Sequence, residues 1–239
     1  MERKYLYSSK NSGKTVLLWH FDFERDPYPF WDEVRNNSVT LDKDAYEDWA
    51  GDFTNMTYTG PGKFGAALNM FNSPYGYILR GTYYRKIDVS QDFTIEFWVK
   101  RLPNYYDRNS SSWNTFFCCR NVNTGNGYYL NTYDGTDTGC RIVVSEMGGS
   151  SIGQPIIFAA QWTHFAFVFD KNNSTLNVYS DGTLYASKTF TVEANQSVLI
   201  NLGNNDIMSA VYVDEFRISK CKRYTDYSYI VPSAAFTVD

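Results

Sequence analysis

The sequence predicts an all-β chain folded as an antiparallel β-sandwich, and three observations carry that prediction. The first is composition: 20 Tyr, 17 Phe and 6 Trp in 239 residues, side chains that suit pleated surfaces and binding faces. The second is the stretch Trp162 to Phe190, WTHFAFVFDKNNSTLNVYSDGTLYASKTF. Two apolar runs flank the connector 170–174, and the reversal Ser180-Asp181-Gly182-Thr183 leads into Leu184 and Tyr185. Asp-Gly between strand-like residues signals a hairpin, because glycine accepts positive φ without a Cβ clash. The result is a three-stranded meander. The third is Asp92 to Arg101, with Phe93, Ile95, Phe97 and Val99 on one parity and Thr94, Glu96, Trp98 and Lys100 on the other. That period of two belongs to a strand.

A chain of this length buries a sizeable core as one large β domain or two smaller ones. A hydrophobic content of 43% excludes a disordered chain. The formal net charge of -4 argues against a nonspecific nucleic-acid binder, which needs a basic footprint. No apolar run reaches bilayer length, so no membrane insertion is expected. The opening MERKYLYSSKNSGKTVLLWHF has no uninterrupted apolar core and no cleavage site of the secretory kind. Cys118, Cys119, Cys140 and Cys221 match no zinc-knuckle spacing. They read as reduced thiols of a protein made in a cytoplasm, with a bridge from Cys140 to the 118/119 pair left open.

Taken in order, residues 1–14 form a polar amino-terminal arm and residues 15–239 one sandwich domain, with no composition break inside it. Thr15 to Phe23 is the first strand. Leu17, Trp19, Phe21 and Phe23 share one parity and Val16, Leu18, His20 and Asp22 the other, a pattern of a strand covered on both sides for part of its length. Residues 24–52 are acidic and carry Pro27, Pro29, Phe30, Trp31, Tyr46 and Trp49; they read as a long loop with short strand pieces, or a helical turn over 42–49. Tyr58 to Gly65 is a glycine-rich reversal that lacks the phosphate-loop pattern. Short strands follow at Ala67 to Phe71 and Gly76 to Leu79, then an irregular edge over 83–91. After the 92–101 strand comes a Tyr/Asn/Ser-rich loop, 102–113. Strands are then expected at 115–119, 127–132, 139–145 and 155–158, followed by the meander. Ser197 to Leu202 precedes Ala210 to Ser219, AVYVDEFRIS, in which strict alternation groups Tyr212, Asp214, Phe216 and Ile218. Asp214 is anomalous among apolar neighbours, since a buried carboxylate needs a charge partner, dense hydrogen bonding or a metal. The tail 220–239 is expected to pack back across the domain.

The ordered set Val16 to Asp22, Gly62 to Leu68, Asp92 to Val99, Gln161 to Phe165, Leu176 to Thr183 and Val213 to Ser219 resembles the concanavalin A-like, laminin-G-like jelly rolls found in phage virion proteins and bacterial surface proteins. Arg223-Tyr224-Thr225, then Pro232 and Phe236, are similar to the tail of the phage examples. The resemblance spans about residues 15–236 and implies a concanavalin A-like antiparallel jelly roll. The same sandwich serves many roles. The phage flavour implies a non-enzymatic virion protein: a capsid decoration, fibre-associated or host-surface glycan-binding module. Such a protein is synthesised in the host cytoplasm, has other virion proteins as partners, and leaves room for a homo-oligomer. A bacterial carbohydrate-binding or adhesion domain is the alternative, and a glycoside hydrolase the third.

The chemistry is sparse. A retaining glycosidase needs two carboxylates about 5 Å apart, yet Glu96 stands between Ile95 and Phe97, and adjacent Asp214 and Glu215 point to opposite faces of a regular strand. His20 and His164 are isolated, His164 reads as a structural histidine, and no GxSxG motif occurs. By resemblance, Asp22 and Asp214 are the residues that would hold a structural calcium ion, which takes six to eight oxygens. The competing reading pairs Asp214 with Arg217 or caps a bulge. Aromatic rings beside amides and carboxylates favour a glycan surface at Trp31 and Trp49, Tyr105 and Tyr106, or Tyr128 and Tyr133, unless each ring packs its loop onto the sandwich.

Overall fold

The computed structural model describes residues 14–21, 31–32, 37–38, 61–69, 85–87, 90–101, 114–121, 123–135, 139–146, 152, 156–157, 161–193, 198–202 and 211–239. Its strands are β1 (Thr15–Trp19), β2 (Trp31–Asp32), β3 (Asn37–Ser38), β4 (Leu68–Asn69), β5 (Arg85–Ile87), β6 (Phe93–Arg101), β7 (Asn114–Asn121) and β8 (Gly127–Gly135). They continue with β9 (Gly139–Ser145), β10 (Ile156–Ile157), β11 (Trp162–Asp170), β12 (Thr175–Ser180), β13 (Thr183–Thr189), β14 (Val198–Leu202) and β15 (Val211–Ser219). One sheet runs β1-β15-β6-β11-β12-β13, with β4 added on β15; a six-stranded sheet runs β10-β9-β8-β7-β14-β5. All pairings are antiparallel. The expected helical turn at 42–49 and strand at 76–79 lie outside the described residues.

The alternation read in the sequence builds the core. Phe93, Ile95, Phe97 and Val99 of β6 join Phe165, Phe167 and Phe169 of β11 against Phe117, Cys119, Tyr128 and Leu130 of the opposite sheet. Phe97 lies 4.8 Å from Phe117 and 5.6 Å from Phe216 between ring centroids, the offset and tilted contacts aromatic rings prefer. The meander forms as expected, with Asp181 at φ 44 and Gly182 at φ 77, the paired left-handed residues of a type I′ hairpin turn. A Cβ on Gly182 would stand 2.4 Å from the Tyr229 carbonyl oxygen, so the glycine also admits the tail.

That tail closes the outer face of the larger sheet. Phe236, with Val231 and Val238 beside it, packs on Leu18, Trp98 and Trp162. Tyr224 and Tyr229 pack on Ala166, Val168, Tyr179 and Leu184. Leu17, Trp19 and Phe21 meanwhile face the inter-sheet core, which makes β1 the two-sided strand its sequence describes. Burial along β6 and β11 is nearly continuous for the same reason.

Two expectations change. Strict alternation fails in β15: Asp214 pairs with Trp98 but Arg217 pairs with Glu96, with a register shift between and Glu215 at φ 55. The extra residue of a β-bulge resets the phase, so Val211, Val213, Phe216 and Ile218 face the core. Asp214 therefore does not belong with Phe216 and Ile218. The Cys140 bridge also falls. Cys118 opposes Tyr129, which opposes Ser145, whereas Cys140 opposes Asp134. Five residues of strand separate positions 140 and 145, about 17 Å at strand rise, beyond any disulfide span. Cys118, Cys119 and Cys221 are free thiols.

Candidate functional site

On the outer face of the larger sheet, buried charges meet partners drawn from the strands and from the tail. Glu96 is 0% exposed, and its Oε1 accepts from Arg217 Nε at 2.9 Å and Nη2 at 2.7 Å. Its Oε2 accepts from the Tyr224 hydroxyl at 2.6 Å, with His164 Nε2 at 3.4 Å. Burial alone would raise the Glu96 pKa; the His164 and Arg217 neighbours, with the Tyr224 hydroxyl, outweigh it and hold the carboxyl at about 2. His164 Nδ1 meets the Tyr229 hydroxyl at 2.6 Å, and Tyr229 stacks on Tyr224 at 3.6 Å. Arg223 grips Asp239 and the Thr15 hydroxyl. Glu215 accepts the Phe236 N–H at 2.6 Å while facing His20 Nδ1 at 2.6 Å. The Arg217 guanidinium lies 4.1 Å above the Phe236 ring centroid. Most of these groups tie tail to sheet, so the cluster is a fastening.

Asp214 belongs to the same face and is 0% exposed. Its Oδ2 accepts the Lys63 and Phe64 N–H groups at 2.7 and 3.0 Å, and its Oδ1 accepts the Glu215 N–H at 2.8 Å. These backbone donors compensate its burial and pin the 62–65 turn. Arg217 is engaged by Glu96, so the expected Asp214–Arg217 pair is replaced by a different partner for each. A calcium ion at Asp214 would need further oxygen ligands beside this carboxylate. No group of three or more His, Cys, Asp or Glu side chains among the described residues is placed to hold a metal. Asp22 lies outside the described residues.

The six-stranded sheet presents a different outer face. Leu130 points into the core, so alternation puts Tyr128 on the inside and Tyr129 outside. Tyr128 is 1% exposed within the inter-sheet cluster, with Lys188 Nζ at 5.3 Å from its ring. This corrects the reading of Tyr128 as a ligand-stacking ring: it is a core residue. Tyr129 and Arg120 are half-buried. Beside them Asn131 is buried and spans three strands, accepting from the Thr115 hydroxyl and donating to Ser145. Tyr133 shares the parity of Tyr129 along β8, in register with Arg141. Trp31 lies in β2, paired with Ser38. Trp49, Tyr105 and Tyr106 fall outside the described residues. Tyr129 and Arg120 were legible in principle, since the position of Leu130 dictates which tyrosine of the pair turns outward.

A family model described as the concanavalin A-like lectin/glucanases superfamily, laminin-G type, matches residues 75–225. The chain belongs to this superfamily. Among solved structures it is similar to the binding domain of Paraclostridial mosquitocidal protein 1, at 14% identity and TM-score 0.54, covering 90% of this chain and 51% of that one. It is also similar to Trypanosoma rangeli sialidase in complex with sialic acid, at 12% identity and TM-score 0.53, covering 90% of this chain and 32% of that one. The superfamily member thus spans about half of the first relative and a third of the second, and at these identities the likeness is one of fold. A search of curated proteins finds no match. No helix among the described residues is long and apolar enough to cross a membrane.

Proposed function

We propose that this chain is a glycan-binding module and that it binds through the outer face of the six-stranded sheet around Tyr129 and Arg120. The observation that carries the reading is the asymmetry of the two faces: the larger sheet is sealed by the chain's own tail, while the smaller one leaves an aromatic ring and a guanidinium half-buried side by side. An aromatic ring offers a flat apolar platform, and adjacent polar groups orient a ligand. The likeness to the binding domain of a mosquitocidal protein and to a sialidase that holds sialic acid supports this direction. The binding is non-catalytic, because the buried carboxylates Glu96, Asp214 and Glu215 are each spent on structural donors. A glycan array tests it: the wild type should retain a set of saccharides, and Tyr129→Ala should weaken them at least tenfold. An array without binding, or binding indifferent to Tyr129→Ala, overturns the assignment.

Display on a phage particle, with other virion proteins as partners, is the finer part of the proposal and rests on the motif order from Val16 to Phe236. Peptides of this chain in purified particles would bear it out, and their absence would remove it. Asp214 acts as a backbone staple, so EDTA should leave Tm unchanged; a fall reversed by Ca2+ would assign Asp22 and Asp214 to a cation.

A further inference from the structure

We infer that the ligand of this face is an anionic saccharide and that Arg120 receives its carboxylate or sulfate group. The inference rests on the glycan-binding reading above and specifies its chemistry. Two other arginines are neutralised: Arg217 lies 2.7 Å from Glu96, and Arg223 pairs with Asp239 and stands 3.4 Å from Glu96. Arg120 makes no ion pair or side-chain hydrogen bond among the described residues. Glu146, which follows β9, is held by Lys188 at 2.9 Å. In a chain of net charge -4, a half-buried guanidinium left without a carboxylate is a vacancy for an anion. Its planar fork fits a carboxylate or sulfate bidentately.

Sheet register strengthens the case. The cross-strand row through Arg120 reads Gly127, Arg120, Leu199, Lys86, and the next row reads Ser145, Tyr129, Cys118, Asn201. The two rows hold two basic positions and no acidic one. Gly127 offers Arg120 no side chain across the ladder, and a Cβ there would lie 2.2 Å from the Cys119 carbonyl oxygen, so the two strands approach closely at this point. Tyr129 lies within the field of Arg120: burial raises its pKa and the Arg120 charge works against that rise. A sugar ring seated on Tyr129 would carry its acidic group to the guanidinium.

The test uses pairs of probes that differ only in charge: oligogalacturonate against its methyl ester, sialyllactose against lactose, and a heparin tetrasaccharide against its desulfated form. The charged member of at least one pair should bind tenfold tighter or more at low salt, with the gap narrowing as salt rises. Arg120→Gln should erase the gap and Arg120→Lys should keep part of it, both at unchanged Tm. Should Arg120→Gln fail to fold, the methyl-ester comparison and Arg120→Lys decide. Neutral and charged members binding alike, with Tyr129→Ala still weakening both, would overturn the anion and leave the glycan reading standing. A gap that survives Arg120→Gln overturns the role of Arg120, and no binding to any probe on the array removes both.

Discussion

The outer faces of the two sheets carry the same kinds of residue and put them to opposite use. On the larger sheet Glu96, His164, Arg217 and Trp98 would make a plausible ligand surface if read one by one. Tail residues Tyr224, Tyr229 and Phe236 occupy them instead, and Trp98, His164 and Phe236 are in edge-to-face contact or packed together. On the smaller sheet Arg120 and Tyr129 remain half-buried. The difference teaches that a constellation becomes structural when the chain supplies its own partner. Buried pairs are costly to break, because the survivor keeps its desolvation penalty; unpaired surface groups cost little to change.

The comparison can be broken at either face. The largest effect is expected from Glu96→Ala, which strands Arg217 and the Tyr224 hydroxyl and should lower stability by about 3–5 kcal/mol in urea unfolding. A loss near that of a surface substitution would mean that the network is not the fastening. Phe236→Ala removes the ring beneath Arg217 and should cost about 3 kcal/mol, with faster proteolysis inside 220–239 as the accompanying sign that the tail has loosened.

Acid titration should erode the fastening in a defined direction. Asp239 is held at about 2 by hydrogen bonds from Arg223 and Thr15, against the pull of burial, and Glu96 sits at about 2 as well. Unfolded carboxyls titrate at roughly 4, so the unfolded chain takes up protons first and stability falls as pH drops from about 4 towards about 2. Tm should hold from neutral pH to about 5 and decline below it, and Glu96→Gln should flatten that decline. The smallest effect is expected on the smaller sheet: Arg120→Gln should change stability by no more than about 0.5 kcal/mol by thermal melt. A large loss there would show that Arg120 is structural too, and the contrast between the faces would vanish.

Much of the fold was legible because it is written locally. The Asp181-Gly182 turn, the parity of Phe93 to Val99 and the 139–145 strand need only neighbouring residues to be read. The site was less legible. Tyr128 and Tyr129 look equivalent in composition, and only the phase fixed by Leu130 and Cys119 separates a core ring from an outward one. Asp214 looked misplaced because alternation was carried through a bulge that nothing within β15 announces; its cause is the pairing of β15 with β6.

By itself, the sequence determined the sandwich: period-two apolar runs, a meander with a glycine turn, and aromatic mass enough for a two-sheet core. Tertiary structure decided which face the tail seals. The partners of Glu96 lie 121 and 128 residues further along the chain, a separation at which no local pattern can state who meets whom. Burial and charge pairing are properties of that meeting, and they separate the Glu96 fastening from the vacancy at Arg120.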